Sequence, residues 1–380
     1  MALFDQPKTS YSNTINAKRV IADVIKLIDP VATPLLVALG GFDSARSKFE
    51  IRDNGTKVEW LEDTYAPLSD VAAQGTTITT NTTVLTVTDA SIFQDGHVIQ
   101  IDSEYMVVSA VDVTGNTLNV YSRSYGGTNA THAATATINI VGMARLEGDD
   151  ADYVGLTQVS APFNYTSIFQ KALKITGTEE VVDEYGYDDV FAYQAMKAIP
   201  ELSRLVELAL FNGIRAAGSA TAPRSFGGLP TFITTATGNS VNAGGAIAKS
   251  DIDNLAEFIK LDGGMPDLFV CNPAVANDLR ALLDSSSFLR VTQENSVFGM
   301  MAIDQIRTQY GNLSIVESIW CPVADAWMLD SSRIGLYELR PFQWAPLAKT
   351  GDSRKAEVVA ELSLAVANEN AHGRIYGITS

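Results

Sequence analysis

The chain has 380 residues, 46% of them hydrophobic and 19% charged, with a formal net charge of −17. That content supports a large buried core, divided into two or three units, and excludes a disordered chain. The acidic balance excludes a surface that grips nucleic acid through clustered Lys and Arg, yet suits a wall that repels a contained polyanion.

The first dozen residues are polar and read as a loose arm. INAKRVIADVIKLIDP then forms an amphipathic helix: Val20, Ile21, Val24, Ile25 and Ile28 share a face, and Asp29-Pro30 stops it. Thr33-Pro34 restarts a helix that Gly40-Gly41 closes. KFEIRDNGTKVEWL, residues 48 to 61, alternates on both sides of Asp53-Asn54-Gly55 and reads as a β-hairpin.

From about Gly75 to Gly142 the composition turns to Thr, Val, Ile and Gly. Strands are predicted near 84–88, 97–102, 104–111, 117–121 and 136–141, which describes a small β-sandwich or barrel inserted in a larger unit. After the acidic ARLEGDDADYVG, the stretch APFNYTSIFQKALKIT reads as a long strand of a protruding ribbon. Phe163, Tyr165, Ile168, Phe169 and Leu173 give it more apolar surface than a two-stranded projection can bury on itself, so these five are the candidate contacts between subunits.

The longest helical period lies in residues 178 to 215. Val190, Ala195, Met196, Ile199, Leu202, Val206 and Leu210 form a stripe, Asp188 is the predicted N-cap, and Pro200 is expected to kink the helix. Beyond the Gly- and Pro-rich GSATAPRSFGGLP, Ser250 is expected to cap a helix carrying Leu255, Phe258 and Ile259. A strand over Asp267 to Cys271 and a helix from Asn272-Pro273 to Leu283 follow. Strands are predicted near 303–308, 312–317, 326–330 and 334–339. AEVVAELSLAVANEN alternates as a strand, with a helix left open because Ala, Glu and Leu favour one.

Catalytic signals are missing. His97, His132 and His372 are the only histidines and have no ligand spacing. No GxSxG, Walker or GxGxxG motif occurs, so no enzyme activity, catalytic residue or cofactor site is expected. Glu147, Asp149, Asp150 and Asp152 lack the DxDxDG spacing of a calcium loop and read as a solvated loop, so no metal site is assigned. Cys271 and Cys321 fit neither a disulfide framework nor zinc, and suit a reducing cytoplasm. Met300-Met301 and Trp60, Trp320, Trp327 and Trp344 read as packing. No apolar run reaches the ~18 residues of a membrane span and the start lacks a basic-then-apolar leader, so no membrane contact is expected. The sequons at Asn81, Asn129, Asn164 and Asn312 therefore read as chance.

Three stretches together resemble one family. DVIKLIDPVATPLLVALGG with VEWLEDTYAP is similar to the opening of tailed-phage major capsid proteins of the Hong Kong 97 type, in the subgroup typified by coliphage SU-ten. FNYTSIFQKALKITGTEEVVDEYGYDDVFAYQAMKAIPELSRLVELALFNG with PRSFGGLPTFI resembles its extended loop and spine helix, and LAKTGDSRKAEVVAELSLAVANENAHGRIYGIT its closing strands. The resemblance implies an α+β fold with an N-terminal arm (1–47), an extended loop (48–74 and 143–177) and an inserted small all-β domain (75–142). Spine helix and peripheral domain (178–227), axial domain (228–300), and axial return with peripheral strands (301–380) complete the plan. SRSYGGTNATHAATATI also resembles a β-module found among phage structural proteins. The implied function is a capsid protein assembling as homo-hexamers and homo-pentamers of an icosahedral shell around double-stranded DNA, without sequence-specific binding. Scaffold, portal and decoration proteins are the implied partners, and the virion, assembled in the host cytoplasm, the implied location. An encapsulin-like compartment protein or a phage tail or baseplate component is the alternative.

Overall fold

The computed structural model describes residues 33–41, 54–148, 158–182, 189–234, 239–285 and 305–379. The N-terminal amphipathic helix, the first arm of the hairpin, Asp188, Asp149, Asp150, Asp152 and Met300-Met301 lie outside them. In chain order the elements are α1 (Pro34–Ala38), β1 (Lys57–Glu59), β2 (Ser69–Val71), β3 (Val84–Thr86), β4 (His97–Ile101), β5 (Glu104–Asp112), β6 (Thr117–Val120) and β7 (Thr137–Met143). Next come β8 (Phe163–Tyr165), β9 (Ser167–Thr176), α2 (Gly177–Val181), α3 (Val190–Asn212), α4 (Leu229–Phe232), β10 (Ser240–Gly245), α5 (Lys249–Leu261), β11 (Leu268–Cys271) and α6 (Pro273–Ser285). The last are β12 (Gln305–Arg307), β13 (Asn312–Glu317), β14 (Asp325–Leu329), β15 (Ile334–Pro346), β16 (Ser353–Val366) and β17 (Gly373–Ile378). They fall into two compact units, Leu61–Ala161 and the remainder, Met1–Trp60 with Pro162–Ser380.

The Leu61–Ala161 unit is antiparallel throughout, in the order β2-β7-β4-β5-β6-β3. Hydrogen bonds from the Ala73 N–H to Thr86 (2.8 Å) and from the Thr88 N–H to Val71 (3.1 Å) tie the two end strands together, so the sheet closes into a small barrel. Register shifts at Val98/Ile99 and Val108/Ala110 supply the bends that closure requires. Ile78, Leu85, Ile99, Met106, Val108, Leu118 and Ile138 fill it. The compact unit is wider than residues 75–142, because Ser69–Val71 pairs with β7 and Ala72 belongs to the barrel's core.

In the larger unit α3 runs continuously over 23 residues and through Pro200, ~34 Å at 1.5 Å per residue. Its N-cap is Asp189, whose Oδ1 accepts from the N–H groups of Phe191 (2.8 Å) and Ala192 (3.1 Å). The buried stripe is Phe191, Ala198, Leu202, Val206 and Leu210. Met196 and Ile199, placed on that stripe by the sequence, are 71% and 47% exposed instead. At 3.6 residues per turn Met196 stands ~200° from Ala198, so the two cannot share a face. The helix ends at Gly213, where a Cβ would come within 2.5 Å of the Ala209 carbonyl oxygen and 2.8 Å of the Phe226 carbonyl oxygen. Only glycine lets the returning Phe226-Gly227-Gly228 segment lie that close.

Against α3 lies a three-stranded antiparallel sheet, β15-β16-β9. The AEVVAELSLAVANEN stretch is thus strand, its alternation outweighing helix propensity because both neighbours complete its ladder. A second, six-stranded sheet has the order β10-β17-β14-β11-β13-β12, with β10/β17 and β11/β13 parallel. Its central strands are apolar on both faces, as doubly covered strands must be. Leu268, Val270, Trp327 and Leu329 join the cluster of α1, Phe211 and Phe226, whereas Phe269, Cys271, Ala326 and Met328 meet Leu255 and Ile259 of α5 and Val275 and Leu279 of α6. Two expectations change in α5. It begins at Lys249, before Ser250, with the Asp251 carboxylate accepting from the Ala248 N–H (2.8 Å), and Phe258 is exposed. Among the described residues no helix is long and apolar enough to cross a membrane.

Candidate assembly surfaces

Residues 163–176 are not a free ribbon. β8 pairs with β1, and β9 pairs with β16 over ten residues from Ser167 to Thr176. Alternation then gives each of the five candidate residues a definite surrounding. Phe169 faces α3, meets Phe226 at 5.9 Å between ring centroids and touches three core clusters. Leu173, on the same face, packs with Ala198, Leu202 and Val358. These two are therefore partly buried against the subunit's own core. The physical reason is the ladder to β16, which turns the apolar face inward. Phe163 meets Tyr165 edge-on at 5.6 Å, with the Lys57 ammonium 4.3 Å and the Arg215 guanidinium 4.5 Å from the Phe163 ring centre. Ile168 points the other way, stays 50% exposed and borders a cleft of about 390 Å3 with Pro223 and Arg224.

Three buried carboxylates pin the larger elements together, and the sequence reading singled out none of them. Glu361 of β16 accepts from Thr166 Oγ1 (2.7 Å) and Arg340 Nε (3.0 Å) and also bonds Arg224 Nη2. Burial alone would push this carboxyl up, but the Thr166 and Arg224 bonds outweigh it and hold it below its usual range. Glu207 sits fully buried on α3, accepts from the N–H groups of Leu35 (3.2 Å) and Leu36 (3.3 Å) and from Ser318 Oγ (2.8 Å), and so fastens the start of α1. Its burial raises the carboxyl above the ordinary range despite those bonds. In the barrel, Glu104 accepts two bonds from Arg123 (2.8 and 2.7 Å), one from Ser124 N–H, one from Ala130 N–H, and faces His132 Nε2 at 2.9 Å. Burial opposes ionisation there too, but these partners hold the carboxyl at about 2. Their sequence signal is an acid amid apolar residues, as in VELALF; the bonded donors are far away in sequence and could not be read from it.

His132 Nδ1 faces Asp102 at 2.7 Å. His372 is buried, accepts from the Asp330 N–H (3.1 Å), and burial drives its imidazole down to about 4. Burial pushes the Cys271 thiol up to about 12 and the Cys321 thiol well above its usual value, which leaves both unreactive. Asn164 is buried, its side chain bonding Gly227 and Leu364, so that sequon is sealed in the core. Among the described residues no group of three His, Cys, Asp or Glu could hold a metal.

A long helix under a three-stranded sheet and a second mixed sheet with two helices define a fold of the Hong Kong 97-like class. Solved structures agree on the fold. The cyanophage A-1(L) capsid asymmetric unit is similar over 98% of this chain and 100% of that chain, with TM-score 0.59 and 12% identity. The capsid of an empty GTA particle is similar over 98% of each, with TM-score 0.56 and 10% identity. No curated protein matches the sequence. The family model described as SU10 major capsid protein matches residues 7–379. The chain belongs to the SU10 major capsid protein family and is a major capsid protein of a tailed phage, a structural component of the virion.

Proposed function

We propose that copies of this chain form hexamers and pentamers that close into an icosahedral shell around double-stranded DNA. The observation that carries this reading is the family match across residues 7–379, which leaves almost none of the chain for another role. The net charge of −17 supports it, because a wall with excess carboxylates holds a polyanion by confinement and does not bind its phosphates. Exposed apolar side chains support it further: Met196, Ile199, Leu205 and Leu208 stay uncovered around α3. Assembly takes place in the host cytoplasm, with scaffold, portal and decoration proteins as further partners. The barrel at residues 61–161 is an insertion into the capsid plan, and the protein has no catalytic role. Expressed and purified chain, with scaffold if required, should give closed particles by electron microscopy; a monomer that persists across salt conditions, with no particles from infected cells containing it, would overturn the reading.

A further inference from the structure

The dipeptide Asn-Gly occurs twice in the chain, at Asn54-Gly55 and at Asn212-Gly213. Asparagine before glycine readily loses its side-chain amide, because no Cβ shields the glycine nitrogen from the neighbouring Cγ. The two pairs meet opposite surroundings. Asn212 is the last residue of α3, and its Nδ2 donates to the Leu208 carbonyl oxygen (3.2 Å). Gly213 is held from both sides: its N–H donates to the Ala209 carbonyl (2.7 Å), and its own carbonyl accepts from the Gly228 N–H (2.9 Å). Closing a five-membered ring between Asn212 Cγ and the Gly213 nitrogen would take Asn212 out of helical dihedrals and break these bonds.

Asn54 is free of these restraints. It lies with Gly55 in irregular backbone ahead of β1, it is exposed, and its side-chain amide has no partner among the described residues. The Gly55 N–H makes a single long bond, to the Tyr337 hydroxyl at 3.2 Å. We propose that Asn54 is a site of spontaneous deamidation, with solvent water as the only co-reactant. The Gly55 nitrogen bonds to Asn54 Cγ, the Cγ–Nδ2 bond breaks, and the proton from Gly55 leaves with the amide nitrogen as ammonia. Water then opens the resulting succinimide at either carbonyl, giving aspartate or isoaspartate. Isoaspartate adds a methylene to the main chain just ahead of β1 and puts a carboxylate where a neutral amide stood. The Gly55 bond to Tyr337 is lost with it, and the three-residue ladder of β1 with β8 loosens.

The test ages the full chain in mildly alkaline buffer made with 18O-labelled water and follows both sites by peptide mapping. Asn54 is expected to take up the oxygen label and to yield isoaspartate, read with an isoaspartate methyltransferase; direct hydrolysis of the side-chain amide would give aspartate alone. Asn212 should convert at least about tenfold more slowly, the rate equivalent of the hydrogen bond it must break first. In urea the two sites should convert at similar rates, which shows that the fold makes the difference. Gly55→Ala, which adds a Cβ 3.3 Å from the Lys57 carbonyl oxygen, should slow the reaction at residue 54, and Asn54→Gln should silence it. Equal rates at the two sites in the folded chain would overturn the proposal, as would an Asn54 that stays intact in the folded chain. An unchanged rate in Gly55→Ala, or conversion of Asn54 to aspartate with no isoaspartate, would overturn the ring-closing route and the site with it.

Discussion

Glu104 concentrates the stability of the barrel in one carboxylate. It is wholly buried, and its partners come from Arg123, Ser124, Ala130 and His132, so one side chain holds the whole loop after β6. Because its folded-state carboxyl is depressed from 4.5 to about 2, the stabilisation is present above the unfolded value and is lost as pH falls through that window. The size is ~3 kcal/mol at neutral pH. Glu104→Gln should lose a similar ~3 kcal/mol at pH 7, since it leaves the buried Arg123 without its counter-charge. All four tryptophans lie outside residues 61–161, so indole fluorescence follows the other unit. Amide exchange at residues 104–132 is therefore the readout, and equal protection in the variant and at pH 6 and pH 2.5 would refute the assignment.

At the scale of elements, β9 decides between two kinds of contact. Phe169 lies against α3 and Phe226, so Phe169→Ala should destabilise the subunit by ~3 kcal/mol, and Phe169→Asp should give an unfolded or aggregated chain. Ile168→Asp, on the open face, should leave circular dichroism and urea midpoint unchanged. A folded Phe169→Asp subunit of wild-type stability would reverse this placement. The contrast also marks what could be read in the residues alone. Strands β3 to β7 of the barrel, α3, β11, α6 and β16 were legible because each has strong periodicity or punctuation, whereas β2 was not. The side of β9 was not, because an alternating strand looks the same whether its apolar face meets its own helix or a neighbour's. Met196 and Ile199 misled for a related reason: α3 is apolar on more than one face, and only packing selects which is buried. The carboxylate clamps were invisible because their partners, such as Glu207 and Leu35, are joined only by the fold.

For the whole molecule, the larger unit carries two sheets and the long helix, while the barrel has its own strand order and its own core. A chain of residues 61–161 should therefore fold alone, with dispersed β-type amide signals. A cut at 75–142 removes β2 and Ala72, reopens the barrel, and should lower the melting temperature or prevent folding. A 75–142 segment as stable as 61–161 would show that β2 does not close the sheet. The exposed apolar side chains of α3 and the open side of Ile168 are surfaces that other copies would complete in the proposed shell. Cryo-electron microscopy of the purified, assembled chain tests that most directly. The account predicts closed icosahedral particles in which these surfaces are covered by neighbouring subunits. Open sheets, helical tubes, or monomers with the same surfaces facing solvent would contradict it.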